Sequence, residues 1–309
     1  MVEAPGLDLL AWPSDEWVAE GFLANRAMGI ARKIAEKLAE KGAPVQPVHL
    51  AILRAPPEHV GLGVGTQLGL GIARILCELA SHPRPTVAEL AGLTGRGLRS
   101  GIGLHGFALG GLIVDGGRRG PSGIPPLLSR LDFPADWSVL VVVPRLEPGL
   151  HGPGEVRAFA ELPASSDALT DRLCRLVLLG LMPAVLERDL GRFGEALDEI
   201  QRRVGQGFAP AQGGIFARPE LEAIASDLRS EGLVGVGQSS WGPTLYGFSD
   251  APPERRATLL ARLLDRGGLG PDSAFWTRAS RSGASLTLEV DRTITGESDF
   301  PGSGIQDTS

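Results

Sequence analysis

The stretch that most constrains this chain is Pro56-Pro57-Glu58-His59-Val60-Gly61-Leu62-Gly63-Val64-Gly65-Thr66-Gln67. It lies between an alternating apolar run (Val48, Leu50, Ile52) and an Ala/Leu-rich run, Thr66 to Leu79, that reads as a helix. Glycines at 61, 63 and 65 clear side chains from a short strand-to-helix loop, so that backbone N–H groups can converge on one point. The helix brings its free N–H groups and positive dipole end to the same place, which favours an anion and above all a phosphate. The plainer reading is a tight turn closing a strand–helix unit, and one glycine loop does not separate the two.

Composition narrows what such a loop serves. Net charge is -6, aromatic residues make up 5%, and Tyr246 is the single tyrosine. A basic footprint and base-stacking platforms are both missing, so nucleic acid is not expected as a partner. No apolar run approaches the ~20 uncharged residues of a membrane span. The N-terminus lacks the basic-then-apolar order of a signal peptide. A cytoplasmic protein that does not engage a membrane is expected. Cys77 and Cys174 fall inside helical patterns and are expected to be reduced. No C-x-x-C or H-E-x-x-H occurs, so a zinc site has no support.

At 309 residues, two domains are the default. The stretch 146–166, rich in proline, glycine and acids, suggests a division near 150: residues 1–150, then 151–290, then a disordered polar tail over 291–309. Within the first part, residues 1–12 read as a strand, Glu16–Lys41 as a helix ended by Gly42, and Thr86–Leu93 as a short helix with a Thr86/Glu89 capping box. Phe107–Asp115 and Trp137–Val143 read as strands. In the second part, helices are expected over Leu169–Glu187 (interrupted at Pro183), Leu190–Val204, Pro219–Glu231 and Pro253–Asp265. Gln206–Gly214 reads as a polar glycine loop, and strands are expected up to Phe248, over Phe275–Arg278 and over Ser285–Val290. This interleaving predicts a two-layer α+β fold rather than a doubly wound sheet.

A second glycine-rich loop, Gly95-Arg96-Gly97-Leu98-Arg99-Ser100-Gly101-Ile102-Gly103-Leu104-His105-Gly106, carries two arginines. A guanidinium fork beside permissive backbone suits a phosphate or carboxylate; the alternative is a solvated basic turn. His105 and His151, with His59, are the histidines of the motif loops. His105 and His151 are candidates to move a proton, and a structural role stands equally against that.

Together these motifs carry a family resemblance. Pro57-x3-Gly61-Leu62-Gly63-Val64-Gly65-Thr66 resembles the phosphate loop of the GHMP kinase superfamily, where Pro-x3-G-L-G-S-S is typical. Gly235-Val236-Gly237-Gln238-Ser239-Ser240-Trp241-Gly242-Pro243 stands where that superfamily has a C-terminal glycine-rich motif. One branch matches more closely. G-L-G-x-G-T-Q, R-S-G-I-G-x-H with G-G-x-I-V-D-G-G, P-R-x-x-x-G-L-H-G, F-A-P-A-Q-G-G and G-V-G-Q-S-S-W-G-P occur in order, and resemble the β-ribofuranosylaminobenzene 5′-phosphate synthase family. Kinases with a catalytic Asp resemble P-S-G-x-D-N at the second loop; here Gly103 takes the place of that Asp. The family's upstream P-S-R-x-H-F-G strand motif is not found before Met1, so a truncated or misassigned start is expected.

The resemblance implies a GHMP-type fold, a ribosomal-S5-domain-2-like N-terminal domain followed by a ferredoxin-like C-terminal domain. It implies transfer of phosphoribosyl from phosphoribosyl pyrophosphate to 4-aminobenzoate, releasing CO₂ and pyrophosphate, in tetrahydromethanopterin biosynthesis. The alternatives are an ATP-dependent small-molecule kinase and a noncatalytic binding protein. Phosphate binding is expected of Gly61, Leu62, Gly63, Val64, Gly65, Thr66, Arg99, Ser100, Gly101 and Gly103, with Mg²⁺ as cofactor and Glu58 and Asp115 as its candidate ligands. Arg145 is a candidate for the 5′-phosphate or the arene carboxylate. Gln212, Gln238, Ser239 and Ser240 are candidates for the ribose hydroxyls, and Gly242 is a further candidate for substrate binding. Trp241 either stacks on the arene or belongs to the core. A homodimer is compatible with the sequence.

Overall fold

In a computed structural model, residues 1–289 are described, apart from 83, 119, 121, 122, 151 and 266–268. The 291–309 tail and Val290 lie outside the described residues.

The N-terminal half is built on β3 (Val48–Arg54). It pairs antiparallel with β1 (Asp8–Pro13) and parallel with β2 (Val18–Gly21), giving the order β1-β3-β2. A parallel neighbour requires a crossover, which α1 (Ala24–Glu40) provides. The predicted helix from Glu16 therefore starts later: Val18–Gly21 is strand, and Gly21 passes so close to the Ile52 carbonyl that a Cβ would sit 2.2 Å from it.

Helix α1 buries Ala27, Ala31, Ile34 and Leu38 as one stripe. Its neighbour α2 (Val64–Leu79) buries residues on several faces, among them Leu68, Leu70, Ile72, Ala73, Leu76 and Cys77. It lies between the sheet, α1, α3 (Val87–Thr94) and α4 (Ile102–Leu109). Truncating one of these leucines to alanine costs ~2–5 kcal/mol. The Thr86/Glu89 capping box of α3 is formed in both directions. The predicted Phe107–Asp115 strand is divided. Residues 102–109 are helical, Gly110 ends that helix, and only Leu112–Asp115 extends, as β4 paired with β5 (Leu127–Leu131).

In the second half, β6 (Ser138–Val142) is buried at all five positions. It lies between β8 (Leu245–Ser249) and β9 (Ala274–Thr277), with β7 (Val234–Gln238) beyond β8. Every pairing is antiparallel. With helices between β6 and β7 and between β8 and β9, this is the βαββαβ order of a ferredoxin-like unit. That unit begins at β6, so a boundary at 150 would cut its sheet.

Between β6 and β7 run α5 (Gly152–Glu161), α6 (Asp167–Leu176), α7 (Met182–Glu187), α8 (Leu190–Gln212) and α9 (Pro219–Ser230). The chain joins α6 to α7 through a π-helical turn, Val177–Leu181, just before Pro183, which has no N–H for a regular helical bond. Helix α8 runs on through Gln206–Gln212, where a loop was expected. Gly205 there is a contact point rather than a breaker, since a Cβ would stand 2.5 Å from the Ile215 carbonyl. Helix α10 (Pro253–Asp265) precedes β9, and Ser285–Glu289 form no strand.

Candidate functional site

The first glycine loop ends with Gly63 in the left-handed region (φ 70°), so α2 begins at Val64, two residues earlier than expected. The Thr66 and Gln67 amides bond back to the Gly63 carbonyl at 3.0 and 3.1 Å. Val64 and Gly65 thus carry the amides ahead of that ladder. The Val64 side chain is buried, so only its backbone faces the loop.

Two arginines meet at Gly65. A Cβ there would stand 2.4 Å from Nη2 of Arg26 and 3.5 Å from Nη2 of Arg96. Arg26 comes from α1, and nothing in the local pattern marked it. Its Nη1 pairs with Oε1 of Glu58. Arg96 comes from the second glycine loop. Burial lowers its pKa, the nearby Arg26 charge lowers it further, and Glu155 acts in the opposite direction.

Arg99 makes a 2.8 Å ion pair with Glu155 of α5, and its guanidinium carbon lies 4.2 Å from the centroid of the Phe159 ring. Phe159 packs edge-on against Phe208 and Trp241, with centroids 5.7 and 5.3 Å away. Phe208 and Trp241 meet at 4.9 Å. Helix α5 therefore links the second loop to the third. Trp241 is 4% exposed and packs these loops together, the core role of the two considered for it.

The third loop docks directly on the first. Ser239 Oγ donates to the Gly61 carbonyl (2.8 Å) and the Thr244 amide donates to the Val60 carbonyl (3.1 Å). The Gly149 amide reaches the His59 carbonyl (3.2 Å). Gln238 accepts from the Ala217 amide (2.8 Å) and donates to the Ser240 carbonyl (2.9 Å). Gln212 donates to the Gly214 and Ile215 carbonyls (3.0 and 2.9 Å). Gln212, Gln238 and Ser239, expected on the ribose, are thus bonded to backbone. Ser240 is exposed in the left-handed region (φ 55°), and Gly242 packs on Gln238.

Asp115 closes the second loop on itself. Oδ2 accepts from the Gly101 amide (2.7 Å) and Ser100 Oγ (3.1 Å), and Oδ1 accepts from the Gly117 amide (3.1 Å). With Asp115 bonded in this way and Glu58 paired to Arg26, the two candidate metal ligands do not fit a Mg²⁺ cage. Among the described residues no group of three or more His, Cys, Asp or Glu converges.

Gly103 lies in the first turn of α4, pressed against α2: a Cβ would stand 3.1 Å from the Thr66 methyl. Gln67 Nε2 donates to its carbonyl at 3.2 Å. The position at which the kinase motif carries Asp is thus tightly packed on its α2 side. His105 lies inside α4 rather than in a loop, 8% exposed, with Nε2 2.9 Å from the Pro125 carbonyl. His151 lies outside the described residues. Arg145 is exposed, with its guanidinium against Gly270 ahead of β9. The described site is thus three glycine loops around α2, with Arg26, Arg96 and Arg99 set against Glu58 and Glu155.

This fold defines the chain's class. The family description "GHMP kinases C terminal" matches residues 181–267. Homoserine kinase from Cytophaga hutchinsonii superposes with a TM-score of 0.61 at 16% identity, over 91% of this chain and 89% of that one. Lactococcus lactis galactokinase superposes with a TM-score of 0.62 at 15% identity, over 91% and 87%. At such identities the likeness is one of fold. Sequence relatives go further. A β-ribofuranosylphenol 5′-phosphate synthase from Methanothermobacter thermautotrophicus is 33% identical over 280 residues, covering 87% of this chain and 82% of the relative. One of the same name from Archaeoglobus fulgidus is 35% identical over 265 residues, covering 81% and 79%. The chain belongs to the β-ribofuranosylphenol 5′-phosphate synthase family.

Proposed function

We propose that this protein joins a phosphoribosyl group to a para-substituted benzoate, with phosphoribosyl pyrophosphate as donor, as a step toward tetrahydromethanopterin. The ring carbon bearing the carboxylate forms a bond to the anomeric carbon, as the bond from that carbon to the diphosphate oxygen breaks and its electron pair leaves with the diphosphate. The carboxylate–ring bond then breaks, its electron pair restores the aromatic ring, and CO₂ departs.

The observation that carries this reading over the kinase alternative is the packing at Gly103. Gly103 carries no group to take a proton, and a Cβ there would press on the Thr66 methyl at 3.1 Å, while Arg26 and Arg96 stand together beside the Gly65 backbone. That arrangement favours charge stabilisation over deprotonation of an acceptor hydroxyl. The para substituent is the remaining distinction. The motifs resemble a family that makes an arylamine product, whereas the relatives are named for a phenol.

The test supplies phosphoribosyl pyrophosphate with carboxyl-labelled 4-aminobenzoate or 4-hydroxybenzoate and measures labelled CO₂. Release from one or both is the expected result, and the ratio of the two kcat/KM values identifies the acceptor. No release from either, together with ATP-dependent phosphorylation of a small alcohol, would move the chain to the kinase reading.

A further inference from the structure

The arginine–glutamate balance around Gly65 does not close within the protein. Glu58 is paired with Arg26, and Glu155 with Arg99 at 2.8 Å. Arg96 has no ion-pair partner within 4.0 Å among the described residues. It nevertheless shares the Gly65 backbone with Arg26. Two guanidinium groups in one half-buried spot repel each other, and the protein holds them there without a third carboxylate. Packing does not require this. Gly65 has no side chain, and Arg26 Nη2 stands where one would go, 2.4 Å from the Cβ position, with Arg96 Nη2 beside it at 3.5 Å. Such a site is stabilised by an incoming anion with oxygens enough for both forks.

We propose that Arg26 and Arg96 form a two-guanidinium clamp for the leaving diphosphate, with Glu58 as the counter-ion that holds Arg26 in position until that ligand arrives. This rests on the reaction proposed above and assigns two residues within it. When the anomeric bond breaks, negative charge grows on the departing diphosphate oxygen. An arginine beside that oxygen gains interaction energy as the transition state forms, so its effect falls on kcat. Arg96 carries the larger share, because Arg26 already has a carboxylate partner.

The clamp is tested with inorganic pyrophosphate by titration calorimetry, alongside the CO₂ assay, on Arg96→Gln, Arg96→Lys and Arg26→Gln proteins. Arg96→Gln is expected to weaken pyrophosphate binding at least about tenfold and to lower kcat by about 10²–10³-fold. KM for the arene should stay within about twofold. Arg96→Lys restores the charge without the fork and should fall between. The thermal midpoint of Arg96→Gln should be no lower than that of the parent, since one of two repelling cations is gone. Parent-like pyrophosphate affinity in Arg96→Gln would overturn the clamp, as would loss of its fold. A parent protein that binds pyrophosphate through Arg96 yet releases no CO₂ would uphold the clamp and remove the reaction. CO₂ release unaffected by Arg96→Gln would do the reverse.

Discussion

At the scale of single residues, small side chains here act through the room they leave. Gly103 is the clearest case. Its Cα lies so close to α2 that one added carbon meets the Thr66 methyl at 3.1 Å. A side chain placed there presses on that methyl, which has to give way by a fraction of an ångström. Gly103→Asp is therefore expected to destabilise the fold by ~1–3 kcal/mol, as overpacking does, and to create no phosphorylation of a small alcohol. Urea unfolding and an ATP-consumption assay check the two halves of that statement. A stable Gly103→Asp protein with kinase activity would show that the space is available after all. His105 makes the complementary point. Its position in a glycine-rich motif left proton transfer and a structural role equally open, and the ring is buried and bonded to the Pro125 carbonyl ahead of β5.

At the scale of elements, what was legible in the sequence was what depends on near neighbours. The α3 capping box needs only Thr86 and Glu89, and it forms as read. The β3–loop–α2 unit was legible because period-2 and helical patterns flank three glycines. The misreadings arose where distant packing overrides local propensity. Gly205, Gly207 and Pro210 suggest a loop, but Phe208 is held against Phe159 and Trp241, and α8 continues to Gln212. Arg26 was invisible as a site residue because only the β2–α1–β3 crossover brings it beside Gly65.

Helix α8 also carries a test at this scale. Glu199 is held down to about 2 by Arg172 of α6, bidentate at 2.9 and 2.7 Å, and by Arg203 one turn on at 2.7 Å. A carboxyl whose pKa is depressed on folding adds stability above its ordinary value near 4.5 and loses it as pH falls toward 2. The thermal midpoint should therefore fall across that window, and Glu199→Gln should flatten this part of the profile. An unchanged slope in the variant would mean that the α6–α8 pairing contributes nothing to acid stability.

At the scale of the whole molecule, the site exists only because the two halves dock, and the docking runs through backbone at Gly61. Both Gly61 and Gly63 sit at positive φ, 92° and 70°, where an L side chain is strained. They differ in what surrounds them. A Cβ at 63 meets nothing within 4 Å, while a Cβ at 61 would stand 2.3 Å from the Ser239 carbonyl oxygen. Gly63→Ala should thus cost only the conformational penalty, ~1–2 kcal/mol. Gly61→Ala adds a backbone collision that only separation of the first and third loops relieves, breaking the Ser239–Gly61 and Thr244–Val60 hydrogen bonds. Gly61→Ala is expected to lose more stability than Gly63→Ala and to lower turnover more than its stability loss explains, because the third loop then no longer closes beside Arg99 and Phe159. Hydrogen exchange separates the two effects: in Gly61→Ala the Thr244 amide should exchange faster while the amides of central α2 remain protected. Equal stability and equal exchange in the two variants would mean that the loops do not need this close approach to assemble the site.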